Sequence, residues 1–163
     1  SNISTGSTPS TKKPEYYKGN IPFIKTTEID NNIITSSNIF VSKKAVRDYN
    51  LKVYPPGAIL LAMYGQGKTR GKSSLLKIPA TTSQNAAAIV LNNTICNSKY
   101  VWYYLVSKYE ELRRTGIHGH ISHLNLSFVK RFQVPIPHLE EQERIVDILS
   151  TVDRKLELSL IHI

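Results

Sequence analysis

Prolines at positions 135 and 137 divide the chain into two stretches that follow different rules. Proline has no amide hydrogen and a fixed φ, so neither a helix nor an interior strand runs through "QVPIP". Behind it, "LEEQERIVDILSTVDRKLELSLIHI" opens with Glu140 and Glu141, the charge a helix favours in its first turn. Ile145, Leu149, Val152 and Leu156 then recur at spacings of four, three and four, with Ile163 seven further on. This heptad-like seam predicts a long, coiled-coil-like helix over residues 138–163. Its apolar side needs a partner from the same subunit or another. Residues 1–137 are expected to form a globular unit from which it projects.

Ahead of Pro137 the pattern is mostly β. Residues 4–20 are rich in Gly, Pro, Ser and Thr and read as a leading loop, and Ser1, Asn2 and Ile3 carry no functional signal. Residues 21–29 and 31–42 are β-branched and partly alternating, which predicts two strands with Asp30, Asn31 and Asn32 as a hairpin turn. Ser42 is placed to cap a short helix before the turn signal "YPPGA". "AILLAMY" is a continuous apolar run that fits a strand buried on both faces; periodicity alone leaves a helix open, and the flanking glycines favour strand. "KSSLLKIPA" and "TTSQNAAAIVL" supply two further strands. Ser98 stands at an N-cap position, and Val101, Leu105, Tyr109 and Leu112 share one face of a helix over residues 98–114. Arg113 and Arg114 sit in its last turn and Gly116 at its end. "SFVKRF" predicts one helical turn and "QVPIP" an edge-type strand. The fold class expected is therefore mixed, α/β of the α+β kind.

Charge narrows the partner. Residues 1–138 hold 18 bases and 6 acids, a net +12, whereas the rest holds three bases and six acids, a net −3. A basic body suits a polyanion and an acidic tail suits a protein. Cys96 is the only cysteine, which removes an intrachain disulfide and a cysteine-based zinc cluster and suggests a small buried hydrophobe. No apolar run reaches the roughly 18 residues a membrane helix needs, and the polar start lacks a signal-peptide apolar region, so a cytoplasmic location is expected. With Ser1 in place of an initiator methionine, a processed or excised fragment is expected.

Four segments carry side chains that invite chemistry. In "AMYGQGKT", Ala62, Gly67, Lys68 and Thr69 match the relaxed spacing of a phosphate-binding loop, but "RGKSSLLKIP" is a poor helix start and no apolar strand ending in Asp follows. The same segment sets Lys68, Arg70 and Lys72 among glycines, beside Tyr64 and Gln66; lysines suit phosphates, and Arg or Gln pairs with base edges. A solvated, charged hairpin is the plain alternative. His118, His120 and His123 lie within six residues without the cysteine or helical spacing a zinc site requires, so contact with phosphates or bases, following Arg113 and Arg114, competes with simple loop packing. Thr82, Gln84 and Asn85 open an otherwise apolar strand and are placed either for adenine edges or for bracing the scaffold. Nothing resembles a nucleophile elbow, a Ser-His-Asp order or a carboxylate pair.

In order along the chain, "GSTPS", "YYKGNIPFIKTTEI", "YPPGAILL", "YGQGKTRGKS", "TTSQNAAAI" and "LNLSFVKRFQVPIPHLEEQERIVDIL" resemble one half of a type I restriction-modification specificity subunit. Pro135, Pro137, Glu140, Glu141, Gln142 and Ile145 are the most specific part. The resemblance implies a target recognition domain with a mixed, curved sheet, then a conserved long helix that packs on a counterpart. Complete subunits usually hold two such units, each reading half of a bipartite DNA site. It also implies modification subunits that use S-adenosylmethionine and restriction subunits that use ATP and Mg, so those cofactors belong to partners and none to this chain. Double-stranded DNA, a second recognition unit or second copy, and those subunits are the expected partners. A nucleotide-binding protein and a pure protein-interaction module are the rival readings.

Overall fold

In a computed structural model that describes residues 1–65, 67–115 and 124–161, the chain builds two sheets and five α-helices among those residues. The larger sheet has the order β1 (Asn2–Thr5), β8 (Ala86–Val90), β5 (Ile59–Ala62), β6 (Ser73–Leu76), β3 (Ile33–Ile34). All its pairings are antiparallel except that of β3 with β6. The smaller sheet places β2 (Ile21–Ile24) between β4 (Phe40–Val41) and β7 (Thr81–Thr82). Helix α1 spans Lys43–Asp48, α2 Ser98–Ser107, α3 Tyr109–Arg114, α4 Leu126–Arg131 and α5 Leu139–Ile161.

Of the apolar run at 58–64, Ile59–Ala62 becomes β5, buried on both faces as its composition predicts, while Tyr64 is exposed. Successive side chains of a strand point to opposite faces. Ile59, Leu61 and Met63 accordingly join a core with Trp102, Leu105 and Leu112 on the helical side. Ala58, Leu60 and Ala62 join a second core with Ile24, Ile34 and Ala88 beneath the small sheet. A third cluster, Tyr16, Phe23, Val41, Ala45 and Leu51, fills the space between the small sheet and α1.

Several expectations are corrected. Asp30, Asn31 and Asn32 form no hairpin turn: they carry the chain from the small sheet to the edge of the large one, with Asn31 at φ 54 and its Oδ1 accepting from Ser73 N at 3.0 Å. Only Ile21–Ile24 of the stretch 21–29 is strand, because a 3-10 turn, Thr26–Glu28, follows, fastened by Glu28 Oε2 accepting from Lys25 N at 2.9 Å. The stretch 31–42 holds the two short strands β3 and β4. Residues 81–91 are two strands, since a turn at 83–85 switches the chain between sheets; Ser83 Oγ accepts from Asn85 N there at 3.3 Å. The leading segment begins with β1, whose own alternation is too short to register. "QVPIP" joins no ladder, and the carbonyls of Pro135 and Pro137 accept instead from Tyr100 Oη and Gln142 Nε2.

Ser42 caps α1 as expected, accepting from Ala45 N. The cap of α2 is Asn97, one residue ahead of Ser98. The helix expected over 98–114 is two, because Ser107 Oγ donates back to the Tyr104 carbonyl at 2.7 Å and Lys108 N is shared between two carbonyls. Such back-bonding bends helices. Here it turns α3 toward the glycine-rich loop after β5.

Helix α5 starts directly behind Pro137 and lies against α2 for its first turns. Its anchor is Gln142, 0% exposed, whose Oε1 accepts from Asn97 N at 2.8 Å while Nε2 donates to the Ile95 and Pro137 carbonyls at 3.0 and 2.8 Å. Val146 is buried and Ile145 packs against the same core. Further along, Lys99 Nζ donates to Ser150 Oγ at 2.8 Å and Tyr103 Oη to Asp153 Oδ2 at 2.6 Å. Burial first, then that bond to a carboxylate, pushes the Tyr103 hydroxyl above its ordinary value. Gln142→Leu removes three bonds at once and strands buried polar groups, each at about 1–3 kcal/mol. The expected result is a loss of about 2–3 kcal/mol in urea denaturation followed by Trp102 fluorescence; unchanged stability would contradict this role for Gln142.

Candidate nucleic-acid interface

Strand direction decides which loops meet. β5 and β1 end, and β6, β8 and β3 begin, at one end of the large sheet. Residues 6–8, 30–32, 64–65, 67–72 and 83–85 therefore gather there, and α3 closes over them. Gly6 allows the closest approach: a Cβ there would stand 1.7 Å from the Thr82 carbonyl oxygen.

The loop at 64–72 is pinned to α3 by backbone-directed bonds. Arg70 Nη2 donates to the Arg113 carbonyl at 2.7 Å, Tyr109 Oη to the Lys68 carbonyl at 2.6 Å, and Arg113 Nη2 to the Gly67 carbonyl at 3.4 Å. Gly71, at φ 87, sits under Arg113, whose backbone nitrogen would be 2.9 Å from an added Cβ. On the other side, the Asn85 carbonyl accepts from Met63 N at 2.9 Å and Tyr64 N at 3.4 Å, which ties the loop to the 83–85 turn.

The sequence-derived candidates divide on this frame. Tyr64, Lys68, Gln84 and Arg114 are exposed, and Arg70, Lys72, Asn85 and Arg113 are partly so. Lys72 is ion-paired with Asp30, and Arg114 lies 3.7 Å from Glu110. Gln84 Oε1 accepts from Thr8 Oγ1 at 2.5 Å, which holds an exposed amide in place. Thr82 does not belong on this surface: it is 0% exposed and its hydroxyl donates to the Ile24 carbonyl at 2.8 Å, bracing β7 against β2. The phosphate-loop spacing also fails, because Gly67, Lys68 and Thr69 lead into strand β6 where a phosphate site needs a helix N-terminus. Gln66, His118, His120 and His123 lie outside the described residues. The pairings of Asp30 with Lys72 and of Thr8 with Gln84, which position two of the candidates, leave no signal in the sequence, because the partners lie more than 40 positions apart.

At the tail, Ile145 faces its own domain, whereas Leu149, Val152 and Leu156 are 36, 47 and 58% exposed and continue the stripe along α5.

The chain belongs to the family described as type I restriction modification DNA specificity domain, whose model matches residues 1–161. It is 31% identical over 160 residues to the type I restriction enzyme MjaIX specificity subunit of Methanocaldococcus jannaschii, covering 95% of this chain and 36% of that protein. To the EcoR124I/EcoR124II specificity subunit of Escherichia coli it is 28% identical over 154 residues, covering 91% and 37%. The chain thus spans little more than a third of the length of these relatives. In fold it is similar to the HsdS subunit from Thermoanaerobacter tengcongensis, with a TM-score of 0.72 at 20% identity over 96% of this chain and 37% of that one. The type I S subunit from M. genitalium gives 0.69 at 14%, over 96% and 37%.

Gly71→Ala forces a left-handed residue and a backbone contact at once, at about 1–2 kcal/mol. Amide exchange over residues 67–72 should quicken while that of β5 stays unchanged; equal protection in the variant would contradict the packing described.

Proposed function

We propose that this chain reads DNA sequence as one target recognition unit of a type I restriction-modification specificity subunit. The observation that carries the proposal is the convergence, in a member of this family, of a glycine-rich cationic loop, α3 and a held Gln84 at one sheet end. Lys68 and Arg114 supply phosphate contacts that set register. Gln84, Asn85 and Tyr64, with Gln66, His118, His120 and His123, are assigned to the base-facing side, and Arg70, Lys72 and Arg113 to holding that surface in shape. Contacts to phosphates position a protein and contacts to base edges choose the sequence.

Residues 1–137 form the recognition unit in this proposal and 138–163 the assembly helix. Leu149, Val152 and Leu156, with Ile145 at the root of the stripe, pair with a second recognition unit or a second copy. The chain performs no chemistry of its own. Modification subunits bring S-adenosylmethionine and restriction subunits bring ATP and Mg, and the chain places them on a bipartite site, in the cytoplasm. No helix among the described residues is long and apolar enough to cross a membrane.

Lys68→Ala and Arg114→Ala should each weaken preferred and scrambled duplexes alike and lower the salt slope of binding by about 0.9. Gln84→Ala should cost about 1–3 kcal/mol on the preferred duplex alone. Mobility shifts across salt concentrations separate the two effects, and wild-type affinity in all three variants would overturn the placement of the interface. Leu149→Glu with Val152→Glu should abolish association by sedimentation while leaving the thermal transition in place, since both side chains are already exposed. Undiminished association would remove the assembly role from this stripe.

A further inference from the structure

Five bases, Lys68, Arg70, Lys72, Arg113 and Arg114, stand at the sheet end, yet 18 precede Pro137. A second concentration surrounds α1 and the 3-10 turn Pro14–Tyr17: Lys12, Lys13, Lys18, Lys43, Lys44 and Arg47, against only Glu15 and Asp48. All six cations are exposed. Two separate elements bring them together, for Lys13 Nζ and Lys44 Nζ both lie over the Tyr16 ring, 5.6 and 5.0 Å from its centroid. Asp48 is already engaged, with Lys44 at 2.5 Å, Tyr16 Oη at 3.0 Å and Arg47 at 3.7 Å. The bond from Lys44, then that from Tyr16, holds its carboxyl below the ordinary value, so it stays ionised and cancels one charge of the group. Lys43 and Arg47 share one side of α1 four residues apart.

We infer that this second cationic surface grips duplex phosphates flanking the bases read at the sheet end. The inference rests on the recognition reading above and extends its footprint. Continuity supports it. Thr8, which holds Gln84, is followed by Pro9, whose carbonyl accepts from Tyr17 Oη at 2.7 Å, and by Ser10, whose N donates to Tyr49 Oη at 3.0 Å. Four residues of extended chain reach at most about 14 Å, so Lys12 stands well within one duplex turn, about 34 Å, of the held glutamine. The chemistry of the patch selects a polyanion over a protein. Protein interfaces are anchored by apolar and aromatic side chains at their centre, and here Tyr16, Ala45 and Leu51 are turned into the core beneath the cations.

The test uses the full chain, alone and in complex with the modification subunits of its own system. Replacing Lys12, Lys13, Lys43 and Arg47 together by alanine should lower the salt slope of binding by about 2–4, at about 0.9 per phosphate contact. The drop should be equal on preferred and scrambled duplexes of about 30 base pairs, with base preference from a random library unchanged. A variant that carries arginine at Lys12, Lys13 and Lys43 should keep the wild-type slope. An unchanged slope in the alanine variant would overturn the inference, as would a changed base preference or a loss confined to binding a protein subunit. Wild-type chain that binds no duplex in either form would overturn the recognition reading itself, so the two failures are distinguishable.

Discussion

The architecture depends on β5. Like its neighbour β8, it is hydrogen-bonded on both edges by antiparallel strands while its faces seal two different cores, Leu60 and Ala62 on one side and Ile59 and Leu61 on the other, and it joins β8 to β6 at the centre of the large sheet. A strand of this kind tolerates no slip, because a shift of one residue exchanges its two faces. Register then propagates outward. β6 and β8 must start where β5 stops, and the loop after β5, the turn before β8 and the edge segment before β3 meet there as a consequence. The glycine-rich loop is held between α3 and the 83–85 turn for reasons set in the core.

Much of the body was legible for the same reason. A continuous apolar run bounded by glycines announced β5, "YPPGA" announced the turn before it, and acids behind Pro137 announced α5. What failed had a common cause in tertiary choice among locally permissible options. Asp30, Asn31 and Asn32 have the composition of a hairpin turn, yet Asn31 and Asn32 spend their side chains on Ser73 and Ser74 of another strand. Residues 81–91 read as one strand, but the turn at 83–85 lets Thr81 and Thr82 pair with β2 while Ala86 onward pairs with β5. Such pairings depend on sequence separations of about 25 to 60 and leave no periodic trace.

At the candidate site the sequence carried residue type but not circumstance. Lys68 and Arg114 reach solvent as their charges suggest, whereas Lys72 answers to Asp30 and Thr82 lies in the floor between sheets. Gln142 shows the reverse case. Within "PIPHLEEQ" it marks the family resemblance but shows no role in the sequence, and its burial with three hydrogen bonds explains why a glutamine stands there. That clamp, with Tyr103 and Lys99 further along, fixes the direction in which α5 leaves the domain.

The central claim, that the sheet end where β5 finishes faces DNA, is tested most directly by photo-crosslinking to a random duplex library. A crosslinking residue would replace Lys68 or Arg114, with Lys77 at the opposite end of β6 as the comparison. The account predicts that positions 68 and 114 crosslink to a few fixed positions within an enriched sequence motif and that position 77 does not. Crosslinking from position 77 at equal or greater yield would contradict it.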